Sequence, residues 1–148
     1  METVTPERSN WRDEAISKRH RLWGVACKAT DLDFILFEFT QIKSKQIIIP
    51  CALIEYKHEF ARAQRLRNLQ FRALRALGNR ARLPTFAARY KSDFSNFHVV
   101  PVNNHAKELL PNPTNMSEIQ YVAFLYKLRG LPLIPQDVID VINANDNR

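Results

Sequence analysis

The chain has 148 residues and a mass of 17.3 kDa, about one domain's worth of protein and enough to bury a core without disulfides or a structural metal. Hydrophobic residues at 45% and charged residues at 25% exclude a disordered chain, a collagen-like fibre and a disulfide scaffold. The net charge is +7, and it is unevenly spread: Lys57 to Lys91 holds ten bases, eight of them arginine, against the single acid Glu59, the footprint of a polyanion partner such as nucleic acid.

In chain order, Thr5-Pro6 opens a first helix that carries Trp11, Ala15 and Ile16 on one stripe and runs to Trp23 and Gly24. Asp31 to Phe39, rich in aromatic and β-branched residues, reads as a strand, and Ile47 to Lys57 as a second, with Pro50 implying a bulge or a late start to regular pairing. The longest uncharged apolar run, Ile47 to Ile54, is far short of the ~20 residues that cross a bilayer. From His58 to Leu77 the period becomes helical, with Phe60, Ala63, Leu66, Leu69, Ala73, Leu74 and Leu77 as one apolar stripe and Gly78-Asn79 as its stop. Pro84 to Tyr90 and Phe97 to Val102 are further strands, and Asn103 to Asn115 is a polar loop. Ser117-Glu-Ile-Gln120 is a capping box heading a helix that Gly130 ends, and a last short helix covers Pro135 to Ile142. Mixed order with a crossover helix predicts a single α/β or α+β layer fold. Cys27 and Cys51 stand in no CxxC pair, so zinc-finger and thioredoxin readings have no support. An acidic, polar start without a signal-peptide pattern leads us to expect a cytoplasmic protein with reduced thiols and no membrane partner.

The chemistry concentrates on the first two strands. Glu55 and Lys57 lie two apart, so period two places both on one sheet face, at the end of a strand that reads as buried. Charge there needs a partner or a metal. Asp31 and Asp33 share a face of the preceding strand, and a hairpin would bring an aspartate close to Glu55. A divalent cation between two carboxylates removes their repulsion, and Mg²⁺ binds through one or two carboxylates plus waters and phosphate.

Asp-x-Asp-Phe-Ile-Leu-Phe followed by Leu-Ile-Glu-Tyr-Lys resembles the signature of the PD-(D/E)xK nuclease superfamily, which includes restriction endonucleases, archaeal-type Holliday-junction resolvases and many phage proteins. Leu32 stands where the eponymous proline would. The resemblance implies a restriction-endonuclease-like α/β core, a mixed β-sheet flanked by helices in α-β-β-β-α-β order. One domain over 1–148 would have its core at about 5–102 and a C-terminal helical extension at about 116–143. It also implies Asp33, Glu55 and Lys57 as catalytic residues. Asp33, Glu55 and the Tyr56 backbone carbonyl would hold Mg²⁺ or Mn²⁺, with Glu14 and Asp31 as further candidate ligands. The expected activity is metal-dependent hydrolysis of DNA phosphodiester bonds, structure-specific or weakly sequence-specific. The alternative is a nucleic-acid-binding module that keeps the fold with little catalysis. Arg19, Arg21, Arg62, Arg65, Arg72 and Arg75 are the candidate phosphate contacts. The apolar residues from Ile119 to Leu128 and from Leu131 to Ile142 occupy more than one helix face, which predicts a homodimer through the C-terminal helices.

Overall fold

The computed structural model describes residues 32–61 and 68–146, together with Ile16, Arg19, Leu22, Trp23 and Ala26. The chain divides into two compact units, Met1–Asp31 and Leu32–Arg148. In the first, the Trp23 amide donates to the Arg19 carbonyl at 3.1 Å, one helical turn. The second carries β1 (Phe34–Ile42), β2 (Lys45–His58), α1 (Leu69–Ala81), β3 (Thr85–Tyr90), β4 (Phe97–Pro101), α2 (Asn104–Leu109), β5 (Thr114–Met116), α3 (Glu118–Leu128) and α4 (Gln136–Asp146). Among the described residues the strands form one five-stranded mixed sheet in the order β1-β2-β3-β4-β5. Only the β2–β3 pair is parallel, and α1 is the crossover that a parallel pair requires. The fold is therefore α/β, a mixed sheet flanked by helices.

β1 and β2 form a hairpin closed by Lys43 and Ser44, both at positive φ (50° and 65°). Such a two-residue turn matches the right-handed twist of the strands. The pairing runs from Phe34 opposite Ile54 to Leu36 opposite Ala52, then slips so that Phe37 faces Pro50. Cys51 is the extra residue of a bulge, placed beside the proline that has no amide to give the ladder. Beyond the bulge the hairpin leaves much of its apolar surface exposed, including Phe37, Phe39 and Ile48 on one face.

Period two sorts the sheet into two cores. Leu53, Ala87 and Val102 pack with Phe71 and Leu74 of α1 on one face. Ile54, Phe86, Ala88, Phe97, Val99 and Met116 form the other, with Ala106 of α2 and Tyr121 of α3. α3 opens with the expected capping box: Ser117 Oγ accepts from the Gln120 amide at 3.2 Å and Gln120 Oε1 from the Ser117 amide at 2.9 Å. Gly130, at φ 74°, follows its end.

Three expectations need correction. The helix after β2 does not start at His58: Glu59 and Phe60 form a turn, and α1 begins only at Leu69, capped by Asn68 Oδ1 accepting from the Phe71 amide at 2.9 Å. Phe60 is accordingly exposed and not part of the buried stripe. Gly78 does not stop the helix. It is buried inside α1, where a Cβ would collide with Thr85 Oγ1 and come within 2.9 Å of Asn103 Nδ2, so glycine is there to let the helix approach the sheet; Arg82, in the left-handed region, caps the end. The stretch Asn103 to Asn115 is no loop, since Asn103 caps α2 by accepting from the Ala106 amide at 2.9 Å, and β5 adds the fifth strand. Tyr121 of α3 lies within the core cluster, with Phe124, Leu125 and Leu128 packed against it.

Candidate active site

Asp33 sits one residue before β1, and Glu55 and Lys57 near the end of β2. The antiparallel register that pairs Phe34 with Ile54 brings Asp33 alongside Glu55, and Asp33 Oδ2 accepts a hydrogen bond from the Tyr56 amide at 3.0 Å. The amide and carbonyl of one strand residue point to the same neighbouring strand, so the Tyr56 carbonyl faces the side that Asp33 flanks. Glu55 and Lys57 share the α1 face of the sheet. Lys57 Nζ lies 3.0 Å from Glu55 Oε1.

Gln70, at the start of α1, completes the arrangement and was not among the sequence candidates. Its Nε2 donates to Glu55 Oε1 at 2.7 Å, and its Oε1 accepts from Lys57 Nζ at 3.4 Å. The signal that could have found it is Asn68 as N-cap, which sets the helix phase and puts Gln70 beside the buried Phe71.

Glu55 is the electrostatic centre. It is 1% exposed, Oε1 takes both hydrogen bonds, and Oε2 is buried with no partner. A buried carboxylate oxygen left unpaired is costly. Burial pushes the Glu55 carboxyl above its ordinary value; the hydrogen bond from Lys57 opposes this, and the neighbouring Asp33 adds to it. Desolvation outweighs the ammonium because Lys57 is itself partly in water, its side chain 21% exposed.

Around this centre the basic residues divide. Arg72 is exposed on α1, whereas Arg75 Nε donates to the Val102 carbonyl at 3.0 Å and ties the helix to the end of β4. Arg89 Nη1 donates to the carbonyls of His58, Glu59 and Ala61 at 3.2, 3.2 and 2.9 Å, clamping the chain just after Lys57. His58 serves the same turn: Nδ1 accepts from the Phe60 amide at 3.2 Å, which leaves Nε2 to donate to Ser92 Oγ at 2.8 Å. Arg19 is exposed in the first unit. Glu14, Arg21, Asp31, Arg62 and Arg65 lie outside the described residues.

No protein-family model, curated protein or solved structure significantly matches the chain. What the site can do is therefore read from its own geometry. Among the described residues no three His, Cys, Asp or Glu side chains converge as a metal cluster, and no helix among them is long and apolar enough to cross a membrane. The donor set at Asp33 and Glu55 nevertheless fits a small hard cation, which takes oxygen ligands and commonly binds proteins through only one or two carboxylates. The unpartnered Oε2 of Glu55 is the specific fit, since a cation would supply the missing partner and offset the repulsion from Asp33.

Proposed function

We propose that the protein is a Mg²⁺- or Mn²⁺-dependent nuclease that hydrolyses DNA phosphodiester bonds, structure-specific or weakly sequence-specific, on a restriction-endonuclease-like core. The observation that carries this reading is the buried Glu55 with an unpartnered oxygen, Asp33 beside it and Lys57 Nζ at 3.0 Å. The D…ExK spacing and the arginine-rich segment after β2 support it further.

When bound by Asp33, Glu55 and the Tyr56 carbonyl, the cation would supply Lewis acidity to a phosphate oxygen and to water. The chain's own groups do the rest. The Tyr56 amide fixes the Asp33 carboxylate, and the Gln70 amide holds Glu55 and Lys57 in one geometry. Lys57, a cation partly shielded from solvent, faces the charge that develops on the phosphate oxygens as water displaces the sugar oxygen. The exposed Arg72, with Arg62 and Arg65, would bind flanking phosphates, and Arg19 and Arg21 are further candidate contacts to the DNA backbone. Cutting both strands would use a homodimer, its subunits meeting through the C-terminal helices.

The test is incubation of the full chain with plasmid, single-stranded and branched DNA in Mg²⁺ or Mn²⁺. The expected result is cleavage that EDTA abolishes and that Glu55→Ala or Lys57→Ala lowers by about 100-fold or more. Uncut DNA bound in a salt-dependent way, with no heat on Mn²⁺ titration, would instead leave a nucleic-acid-binding module without catalysis.

A further inference from the structure

Next to the candidate centre lies a second concavity that none of the proposed steps uses. It has a volume of about 150 Å³ and is lined by Lys57, Phe71, Ala87, Ala88, Arg89, His98 and Val100. Strand register explains it. Lys57 pairs with Arg89, Arg89 with His98, and His98 with Asn115, so one polar row crosses four strands on the α1 face. The row before it, Glu55–Ala87–Val100, is small or aliphatic beyond Glu55, and this leaves a hollow with a carbon floor and a polar rim. Lys57 belongs to both the hollow and the centre.

We propose that this hollow receives the base of the nucleotide adjoining the scissile phosphate, and that it takes a single-ring base, a pyrimidine. The inference rests on the proposed action on DNA. Size is the first ground: a volume of about 150 Å³ is that of a cavity which holds one benzene-sized ring, so a single ring fills the hollow better than the fused rings of a purine. The second is chemistry. A phosphate site needs uncommitted donors, but here Lys57 is on Glu55, Arg89 Nη1 is on three backbone carbonyls and His98 Nδ1 is on Asn115 Oδ1 at 3.0 Å. Asn115 Oδ1 also accepts from Asn96 Nδ2 at 3.3 Å, so His98 Nδ1 carries the hydrogen and Nε2 is the nitrogen left to accept. Carbon walls with a few fixed polar groups are the make-up of a site for a planar ring. The N3–H of thymine can donate to His98 Nε2, which the unprotonated N3 of cytosine cannot. A base can enter only when unstacked, which makes single-stranded or frayed DNA the substrate.

The test measures binding of the full chain, without divalent cations, to fluorescein-labelled oligothymidylate and oligoadenylate of equal length by anisotropy. The parent should favour thymidylate by about tenfold, the worth of one stacked base. Val100→Phe, which fills the hollow, and His98→Ala, which removes its acceptor, should each bring that ratio close to one. Circular dichroism checks their folding; should Val100→Phe fail to fold, His98→Ala carries the comparison. Equal binding of the two oligonucleotides by the parent, or an unchanged ratio in His98→Ala, overturns the pocket. Equal binding of the two oligonucleotides by the parent alongside intact Glu55-dependent cleavage sinks the pocket and spares the nuclease. A thymidylate preference that the variants abolish, in a protein that cuts nothing, upholds the pocket and sinks the nuclease.

Discussion

Glu55 is a charge kept in the wrong solvent. A glutamate whose folded value lies above its unfolded one stabilises the fold less at neutral pH than at low pH. The loss builds as pH rises from the unfolded value through the raised folded one, and is complete above it. Glu55→Gln removes the charge while retaining most of the shape, so it should raise the melting temperature of the metal-free protein at pH 7.5. A gain of about 1 kcal/mol is about 2–4 °C for a chain this long. The gap between the two proteins should close as pH falls toward the ordinary glutamate range. Mn²⁺ should raise the melting temperature of the parent and leave Glu55→Gln unmoved. Differential scanning fluorimetry across pH, with and without Mn²⁺, reads all of this, and a Glu55→Gln protein that melts below the parent at pH 7.5 counts against it. The pairing of Glu55 with Lys57 was legible in the sequence because a two-residue spacing in a strand has only one meaning. Gln70 was not, because the apolar stripe drawn from Phe60 set the helix too early, and a glutamine gains its role only once the helix phase is known.

Among the elements, α1 shows why a residue that reads as punctuation can be a packing device. Glycine inside a helix costs about 1 kcal/mol relative to alanine, so Gly78→Ala would ordinarily stabilise. Here the added methyl meets Thr85 Oγ1, the Asn103 amide at 2.9 Å and the Leu83 carbonyl at 3.2 Å. These atoms are bound to one another: Thr85 Oγ1 donates to the Leu83 carbonyl, and Asn103 Nδ2 donates to both. The expected outcome is destabilisation by about 2 kcal/mol or more, as for overpacking, seen as a lower urea midpoint at unchanged slope. A midpoint equal to or above that of the parent would show that the helix can retreat. Other elements escaped the sequence for reasons of scale. β5 has three residues, too few for a period to show, and α2 has six, announced only by the asparagine that caps it. The hairpin, the parallel β2–β3 connection through a helix and the capping box of α3 were all readable, since each is fixed by local pattern.

At the scale of the molecule the question is where surplus apolar surface lies. The residues of α3 that seemed to ask for a second subunit are spent within the chain: Phe124 meets Phe86 edge-on with ring centres 5.1 Å apart, and Tyr121 stacks on Phe97 at 4.4 Å. Phe124→Glu should therefore lower the melting temperature of the protein and not release a monomer. For the proposed homodimer the most exposed apolar residues on the C-terminal side are Leu133 and Val141, 80% and 61% exposed, with Leu131 at 40%. Light scattering of the parent should give twice 17.3 kDa, and Leu133→Lys with Val141→Lys should return it to one chain without loss of fold. If Phe39→Lys with Ile48→Lys does so instead, the hairpin is the interface; a parent that scatters as a single chain ends the dimer.

Tyr56 joins two sides of the sheet that otherwise do not meet. Its amide holds Asp33, while its hydroxyl shares a hydrogen with the Tyr121 hydroxyl at 2.6 Å. Burial pushes both phenols up, which favours the neutral form of each. Through Tyr121 and the Tyr56 hydroxyl, a change in how α3 seats would travel through one side chain into the carboxylate's footing. For anyone breeding variants of this protein, the compensating substitutions for a damaged centre are to be sought on the far layer, around Tyr121, Tyr90 and Phe97, as well as beside the wound.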